Sequence, residues 1–236
     1  MKALRKIKPG GKFAYGGHNW QVLEQAEGRA LCLAAENVGD RAFDKESCND
    51  WRKSTLRGYL NGEFLKSLIE NGASEDAILQ TELDLASEDG LDDYGTSADK
   101  VGLLSCNQYR KYRKLIAPVS GWWWTLTPWS TESGGNANNV RIVYSDGTLS
   151  YSYAYDGIYG VRPLCNFDSS ILVSYQGADG EDQEEQDEQD ETEVNTLTVK
   201  IEADTSGLDA AIEKADRLKK LLQEANDLID SLKSAT

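Results

Sequence analysis

Histidine is almost missing from this chain. His18 stands alone, methionine occurs once, and the 236 residues hold only four prolines and four cysteines. Cys32, Cys48, Cys106 and Cys165 are widely spaced, with no C-x-x-C among them. One imidazole and four scattered thiols make no zinc ligand set, so no metal or other cofactor is expected and the thiols read as reduced and largely buried. Long apolar runs are absent as well. None approaches the ~20 residues that span a bilayer, which excludes membrane insertion. Met1-Lys2-Ala3-Leu4-Arg5-Lys6 has charge without a following apolar stretch, so no secretory signal is read and synthesis in a cytosol is expected. Basic charge is scarce: 25 Lys and Arg against 40 Asp and Glu give a net charge of −15. Between Gly177 and Glu193 lie ten acidic residues and no basic one, leaving −5 for everything else. Phosphate recognition needs clustered Lys and Arg, so nucleic acid is excluded as a partner.

What remains divides into three segments. Residues 1–175 hold every Trp and Tyr. Residues 176–193 are Gly, Asp, Glu and Gln with almost nothing apolar; like charges extend such a stretch, and it reads as a disordered acidic linker. Residues 194–236 regain pattern. A strand is expected over 196–201, then a helix in which Leu208, Ala215, Leu222 and Ile229 share one heptad position and Ala211, Leu218, Ala225 and Leu232 another. That seam predicts self-association or docking to a larger assembly, because a helix this short is marginal alone in water.

Within the first segment, Lys12–Tyr15 and Trp20–Leu23 read as strands joined at Gly16-Gly17, and Ala30–Ala34 as a buried strand. Ser54 is read as the N-cap of a helix carrying Leu56, Tyr59 and Leu60. A second helix is expected around 63–70, stopped by Asn71-Gly72, and Ser74 is read as opening a further helical stretch to Gln80. Residues 101–105 read as a strand and 108–116 as a basic helix. Trp122–Trp124 are read as mostly core, leading through Pro128 into a loop from Trp129 to Asn136. Val140–Tyr144 and Leu149–Tyr155 form a hairpin about Asp146-Gly147, both of which tolerate positive φ.

The second arm of that hairpin alternates, with Leu149, Tyr151, Tyr153 and Tyr155 on one face and Ser150, Ser152 and Ala154 on the other. As a surface this is a sound paratope: tyrosine offers wide amphipathic contact at low entropy cost, and Ser and Asn adapt their hydrogen bonds. Leu149 on the same face leaves a second reading open, in which the tyrosines line the core. Trp129, beside a Gly-rich loop, is suited to stacking on a sugar or an aromatic side chain. Asp89, Asp92, Asp93 and Asp99 read as a solvated acidic loop. Arg162 reads as an anchor, through a buried ion pair or backbone carbonyls.

Gly11-Lys12-Phe13, Trp20–Leu23, Arg29–Leu33, Trp51 with Ser54–Asn61, Asp99–Ser105, Trp123–Pro128 and Gly160–Leu164 together resemble, in order and rough spacing, the DUF6273 family of bacteria and phages. The departure is Thr125-Leu126-Thr127-Pro128, where the family usually shows Leu-Arg-Ser-Pro. The same tryptophan-to-Gly-Val-Arg-Pro frame is similar to the ends of variable proteins diversified by retroelements. That resemblance implies an α+β, C-type-lectin-like fold related to formylglycine-generating enzymes, with short strands and two or more helices. It also implies variable positions of Asn, Tyr, Ser, Asp, Thr, Ala, Gly or Ile. Ser130, Asn138, Asn139, Ser150, Tyr151, Ser152, Tyr153, Ala154, Tyr155, Asp156, Ile158 and Tyr159 are of those types, which hairpins and loops also favour for themselves. The tail is similar to small coiled-coil segments from the structural gene clusters of Gram-positive phages.

The candidate ligand-contacting residues are therefore Trp129, Ser130, Glu132, Asn136, Asn138, Asn139, Arg141, Tyr151, Tyr153, Tyr155, Asp156 and Tyr159. The calcium signatures of sugar-binding lectins, Glu-Pro-Asn and Trp-Asn-Asp, do not occur. No redox cysteine pair or nucleophile–base pair can be named, so no enzyme is expected. The expected function is ligand or receptor binding by a phage- or prophage-encoded protein made in the bacterial cytoplasm and displayed on a virion, facing a protein or glycan on a cell surface. The alternative is a structural protein that decorates the particle without host recognition.

Overall fold

The computed structural model of the chain describes residues 1–176. The expected acidic linker beyond Gln176, the strand over 196–201 and the heptad helix from Leu208 to Leu232 lie outside the described residues.

The elements run β1 (Lys2–Ala3), β2 (Lys12–Tyr15), β3 (His18–Ala26), β4 (Arg29–Ala34), α1 (Thr55–Tyr59), α2 (Leu65–Glu70), β5 (Ile78–Leu79), β6 (Thr81–Asp84), β7 (Thr96–Asp99) and β8 (Gly102–Leu103). They continue with α3 (Cys106–Tyr112), β9 (Trp123–Pro128), β10 (Asn139–Val143), β11 (Leu149–Tyr153), β12 (Pro163–Asp168) and β13 (Leu172–Gln176). The result is an α+β fold built on a curled, half-barrel sheet in the order β1-β13-β2-β3-β4-β12-β5, with β8 also on β12. A three-stranded sheet β11-β10-β9 and the β6–β7 hairpin complete the strands.

The Gly16-Gly17 turn forms as read. Both residues have positive φ (59° and 78°), as a two-residue hairpin of the favoured hand requires. Phe13 on β2 then lies opposite Trp20 on β3. Trp20 meets Phe167 edge-on at 4.9 Å, and this pair anchors the main core. The central strand β12 is buried at five of its six residues, so it is covered on both faces.

The two expected helices prove to be one. Ser54 caps α1 by accepting from the Arg57 amide, and α1 passes into α2 through a π-helical turn, Leu60–Phe64. The reason lies in the sequence: Leu56, Leu60, Phe64 and Leu68 recur every fourth residue and all are buried. In a regular 3.6-residue helix such a row drifts by about 40° per step; a wider turn brings it back onto the core. Beyond Ser74 the expected helix shrinks to a single 3-10 turn, Glu75–Ala77, because Ile78 is taken into the sheet opposite Phe167.

Two further expectations are corrected. Trp123–Pro128, for which no strand is expected, forms one that is buried at every residue before the expected loop begins at Trp129. Asp99 is not in a solvated loop: it is buried on β7, where Trp51 Nε1 (2.9 Å), Ser97 Oγ (2.8 Å) and Arg57 Nε (3.0 Å) all donate to it. Asp89, Asp92 and Asp93 are exposed.

Candidate functional site

β10 and β11 pair in register as Arg141 opposite Tyr151 and Asn139 opposite Tyr153. Their turn differs from the expected two-residue form. Tyr144 donates to Thr148 O and Gly147 to Tyr144 O, and of Asp146 and Gly147 only Gly147 has positive φ (81°). This is a three-residue loop with glycine in the left-handed position. Asp146 instead accepts from Thr148 N (2.8 Å) and Oγ1 (2.7 Å), which holds its carboxyl below the usual range.

The open reading of the tyrosine face is settled by exposure. Leu149 is half-buried against the smaller core cluster, but Tyr151, Tyr153 and Tyr155 are 49%, 51% and 53% exposed. They are not loose. Tyr153 and Tyr155 stack at 5.4 Å with planes 10° apart, and Tyr151 packs on Trp129 at 4.4 Å. Trp129, 38% exposed, has the Arg141 guanidinium 5.1 Å from its ring centroid. Ser152 lies on the opposite face, where it donates to Asp156 and accepts from Tyr159 Oη (3.0 Å).

Several expected contact residues have other places. Ser130 (3% exposed), Tyr159 (7%) and Arg141 (9%) are buried. Tyr159 packs edge-on to Trp124 at 4.8 Å. Arg141 lies 3.9 Å from Glu88 and donates no side-chain hydrogen bond to a protein atom from its Nε. Asn139 is half-buried, and Asn136 spends its Oδ1 on the amides of Asn138 (3.2 Å) and Asn139 (3.1 Å). Asp156 is half-buried, while Glu132 and Asn138 face solvent. The exposed members of the expected set are therefore Trp129, Glu132, Asn138, Tyr151, Tyr153 and Tyr155, and of these Arg141 packs on Trp129 and lies opposite Tyr151.

Two supports had no local signal in the sequence. Asn49, fully buried, reaches the carbonyls of Ser130 (2.9 Å), Asn136 (3.1 Å) and Asn139 (3.0 Å) and accepts from Tyr94 Oη (2.9 Å). It thereby holds the Trp129–Asn139 loop in one shape across more than 80 residues of chain. Trp122, read as core with its neighbours, is 41% exposed; it stacks on Tyr159 at 5.8 Å and packs on Tyr144 at 4.2 Å. Trp123 and Trp124 are buried as read.

The profile of the family described as "Domain of unknown function (DUF6273)" matches residues 27–117 and 107–169. The chain belongs to this family. The DUF6273 match takes in β9, β10 and β11 and thus the aromatic face, whereas β1, β2, β3 up to its last residue and β13 lie outside it and complete the same sheet. No curated protein matches the chain, and no solved structure does.

Arg162 of the Gly-Val-Arg-Pro stretch is an anchor through carbonyls rather than an ion pair. Its Nε donates to Ala34 O (3.1 Å) and its Nη2 to Ala35 O (3.3 Å). All four cysteines are free: Cys32, Cys106 and Cys165 are buried and Cys48 half-buried. Burial pushes the Cys32, Cys106 and Cys165 thiols up. Among the described residues no group of three or more His, Cys, Asp and Glu is placed to hold a metal ion, and no helix is long and apolar enough to cross a membrane.

Proposed function

We propose that this DUF6273 domain is a non-enzymatic binding module whose contact surface is the outer face of β11 together with Trp129. One observation carries the reading: four large aromatic side chains, Trp129, Tyr151, Tyr153 and Tyr155, are 38–53% exposed, yet each is held in a ring–ring pair on or beside β11. Preset aromatics lose little freedom on binding, so most of their contact area is available as affinity. Glu132 and Asn138, exposed on the loop that Asn49 fixes, add polar contacts at the rim.

The finer reading is a C-type-lectin-like member of the retroelement-diversified group, phage- or prophage-encoded and displayed on a virion, its ligand a protein or glycan of a bacterial surface. The tryptophan-to-Gly-Val-Arg-Pro frame and the Tyr, Ser and Asn types of the hairpin support it. The C-terminal heptads support attachment or self-association, which multiplies weak single-site contacts into avidity.

The test is the full chain with Trp129, Tyr151 and Tyr155 all replaced by Ala, offered labelled to a glycan array and to intact cells of a bacterial panel. The native chain binds at least one surface and the triple variant none, with thermal midpoints within a few degrees. A variant that binds like the native chain, or one that unfolds, overturns the reading. Virions that adsorb normally with the triple variant favour particle decoration instead.

A further inference from the structure

One cavity shares no wall residue with the aromatic face of Trp129, Tyr151, Tyr153 and Tyr155. It lies between the β10–β11 turn and residues 116–119, with a volume of about 120 Å³ and with Tyr109, Arg113, Trp123, Asp146, Gly147 and Arg162 in its wall. Two of these are arginines. Arg162 is 1% exposed, has no carboxylate in salt-bridge reach among the described residues, and lies 5.0 Å from the Trp123 ring centroid. With Nε and Nη2 committed to the Ala34 and Ala35 carbonyls, Nη1 is buried without a protein acceptor. A buried guanidinium with neutral partners only is costly, and an anion is the group that relieves it. Burial draws this guanidinium down to about 10 against a smaller opposing pull from Tyr109, and no carboxylate raises it.

The second arginine sits at the mouth. Arg113 is exposed, packs 5.7 Å from the Tyr109 ring, and its Nη2 lies against Gly147. Tyr109 Oη donates to Gly147 O (2.8 Å), which fixes the turn over the cavity. The one carboxylate in the wall, Asp146, has its Oδ1 engaged by Thr148 and is nearer Arg113 than Arg162 in its electrostatics.

We propose that this cavity is a binding site for a small oxyanion, a carboxylate or phosphate group, received by Arg162 from below and Arg113 at the mouth. The volume is ample for a group of that size. Trp123 and Tyr109 supply apolar walls, in which a charge-assisted hydrogen bond is stronger than in water.

The experiment is a two-dimensional NMR titration of the full chain with sodium acetate and, separately, sodium phosphate, ionic strength being held with sodium chloride. Saturable shifts centred on the Gly147 amide and the Trp123 indole N–H are expected. Saturation by acetate identifies a carboxylate ligand and saturation by phosphate alone a phosphate. Arg113→Gln, at an exposed position, weakens binding by roughly tenfold, the loss of one charged hydrogen bond. Arg162→Lys removes saturation altogether. Should Arg162→Lys fail to fold, Arg113→Gln and the shift map decide. No saturable response to either anion, shifts centred elsewhere, or an unchanged affinity in Arg113→Gln each overturns the site.

Discussion

Arg141 lies beneath Trp129, its guanidinium 5.1 Å from the indole centroid, and is itself directly opposite Tyr151 across the β10–β11 pair. A buried cation therefore underlies the exposed Trp129–Tyr151 contact, and the surface depends on a residue that a ligand hardly touches. Replacing Arg141 with Ala removes both the cation–π contact and the apolar stem that supports the ring. The expected result is a loss of about 1–2 kcal/mol in chemical denaturation, with red-shifted, more quenchable tryptophan emission. Emission unchanged from native would show that Trp129 holds its place without Arg141.

Asn49→Ala leaves three carbonyls of the Trp129–Asn139 loop and the Tyr94 hydroxyl without their shared partner. Buried groups stranded in this way cost about 1–3 kcal/mol. Hydrogen exchange should accelerate at the amides of Trp129 and Asn136, bonded to Asn139 O and Thr131 O, while amides of β12 keep their protection. Uniform acceleration over the whole domain would mean that Asn49 is a general core residue.

The Asp99 carboxyl gives a pH test. Burial alone would raise its pKa, but donation from Arg57, Trp51 and Ser97 outweighs it and holds the group below the ordinary carboxylate value. A depressed folded-state pKa means stability that is present above the unfolded value, near 3.9, and is lost as pH falls through the folded one. Acidification below about pH 4 should therefore lower the unfolding midpoint more steeply for the native chain than for Asp99→Asn. At neutral pH Arg57→Gln should cost about 1.5–3 kcal/mol, the range for a hydrogen bond to a charged group. Parallel pH profiles for the native and Asn variants would remove Asp99 from the account.

Thiol chemistry separates the cysteines. Cys32, Cys106 and Cys165 are buried with raised pKa values, so they offer little thiolate, whereas Cys48 is half-buried in a loop. Titration of the native chain with a colorimetric disulfide reagent should release about one thiol quickly, and Cys48→Ser should abolish that phase. The other three should react only on denaturation. A fast phase that survives in Cys48→Ser would place an opening at one of the buried thiols.

Local rules carried much of the fold. The Gly16-Gly17 hairpin, the Ser54 cap, the stop at Gly72, the β10–β11 pair and the loop after Pro128 follow from conformational preference, capping and periodicity over a few residues. The family frame was legible too, because it is a series of such landmarks in order. Patterns that satisfy two environments were not. Trp122-Trp123-Trp124 is uniformly apolar, and only the packing of β9 against β10 and Gly160 buries two of the three and leaves Trp122 outside. Residues 54–70 read as two helices, the first with Leu56, Tyr59 and Leu60 and the second around 63–70, whereas a π turn joins them and keeps Leu56, Leu60, Phe64 and Leu68 on the core.

The hairpin shows most clearly where the division falls. Alternation by itself determined that Tyr151 and Tyr153 share a face with Leu149; which side met water was decided by the β9 side of the sheet and the Trp129 loop, elements distant in sequence. Arg141 and Ser130 have polar side chains that suit a ligand surface, and tertiary structure alone buried them, one against Trp129 and the other within the loop that Asn49 holds. The sequence also determined that Arg162 is a charge within an apolar stretch. That two carbonyls of β4 and the next residue would claim its Nε and Nη2, leave Nη1 without an acceptor, and set it in one cavity wall with Arg113 was decided by the fold. Hydrogen bonds and burial join groups that the chain keeps more than a hundred residues apart, and no local pattern encodes them.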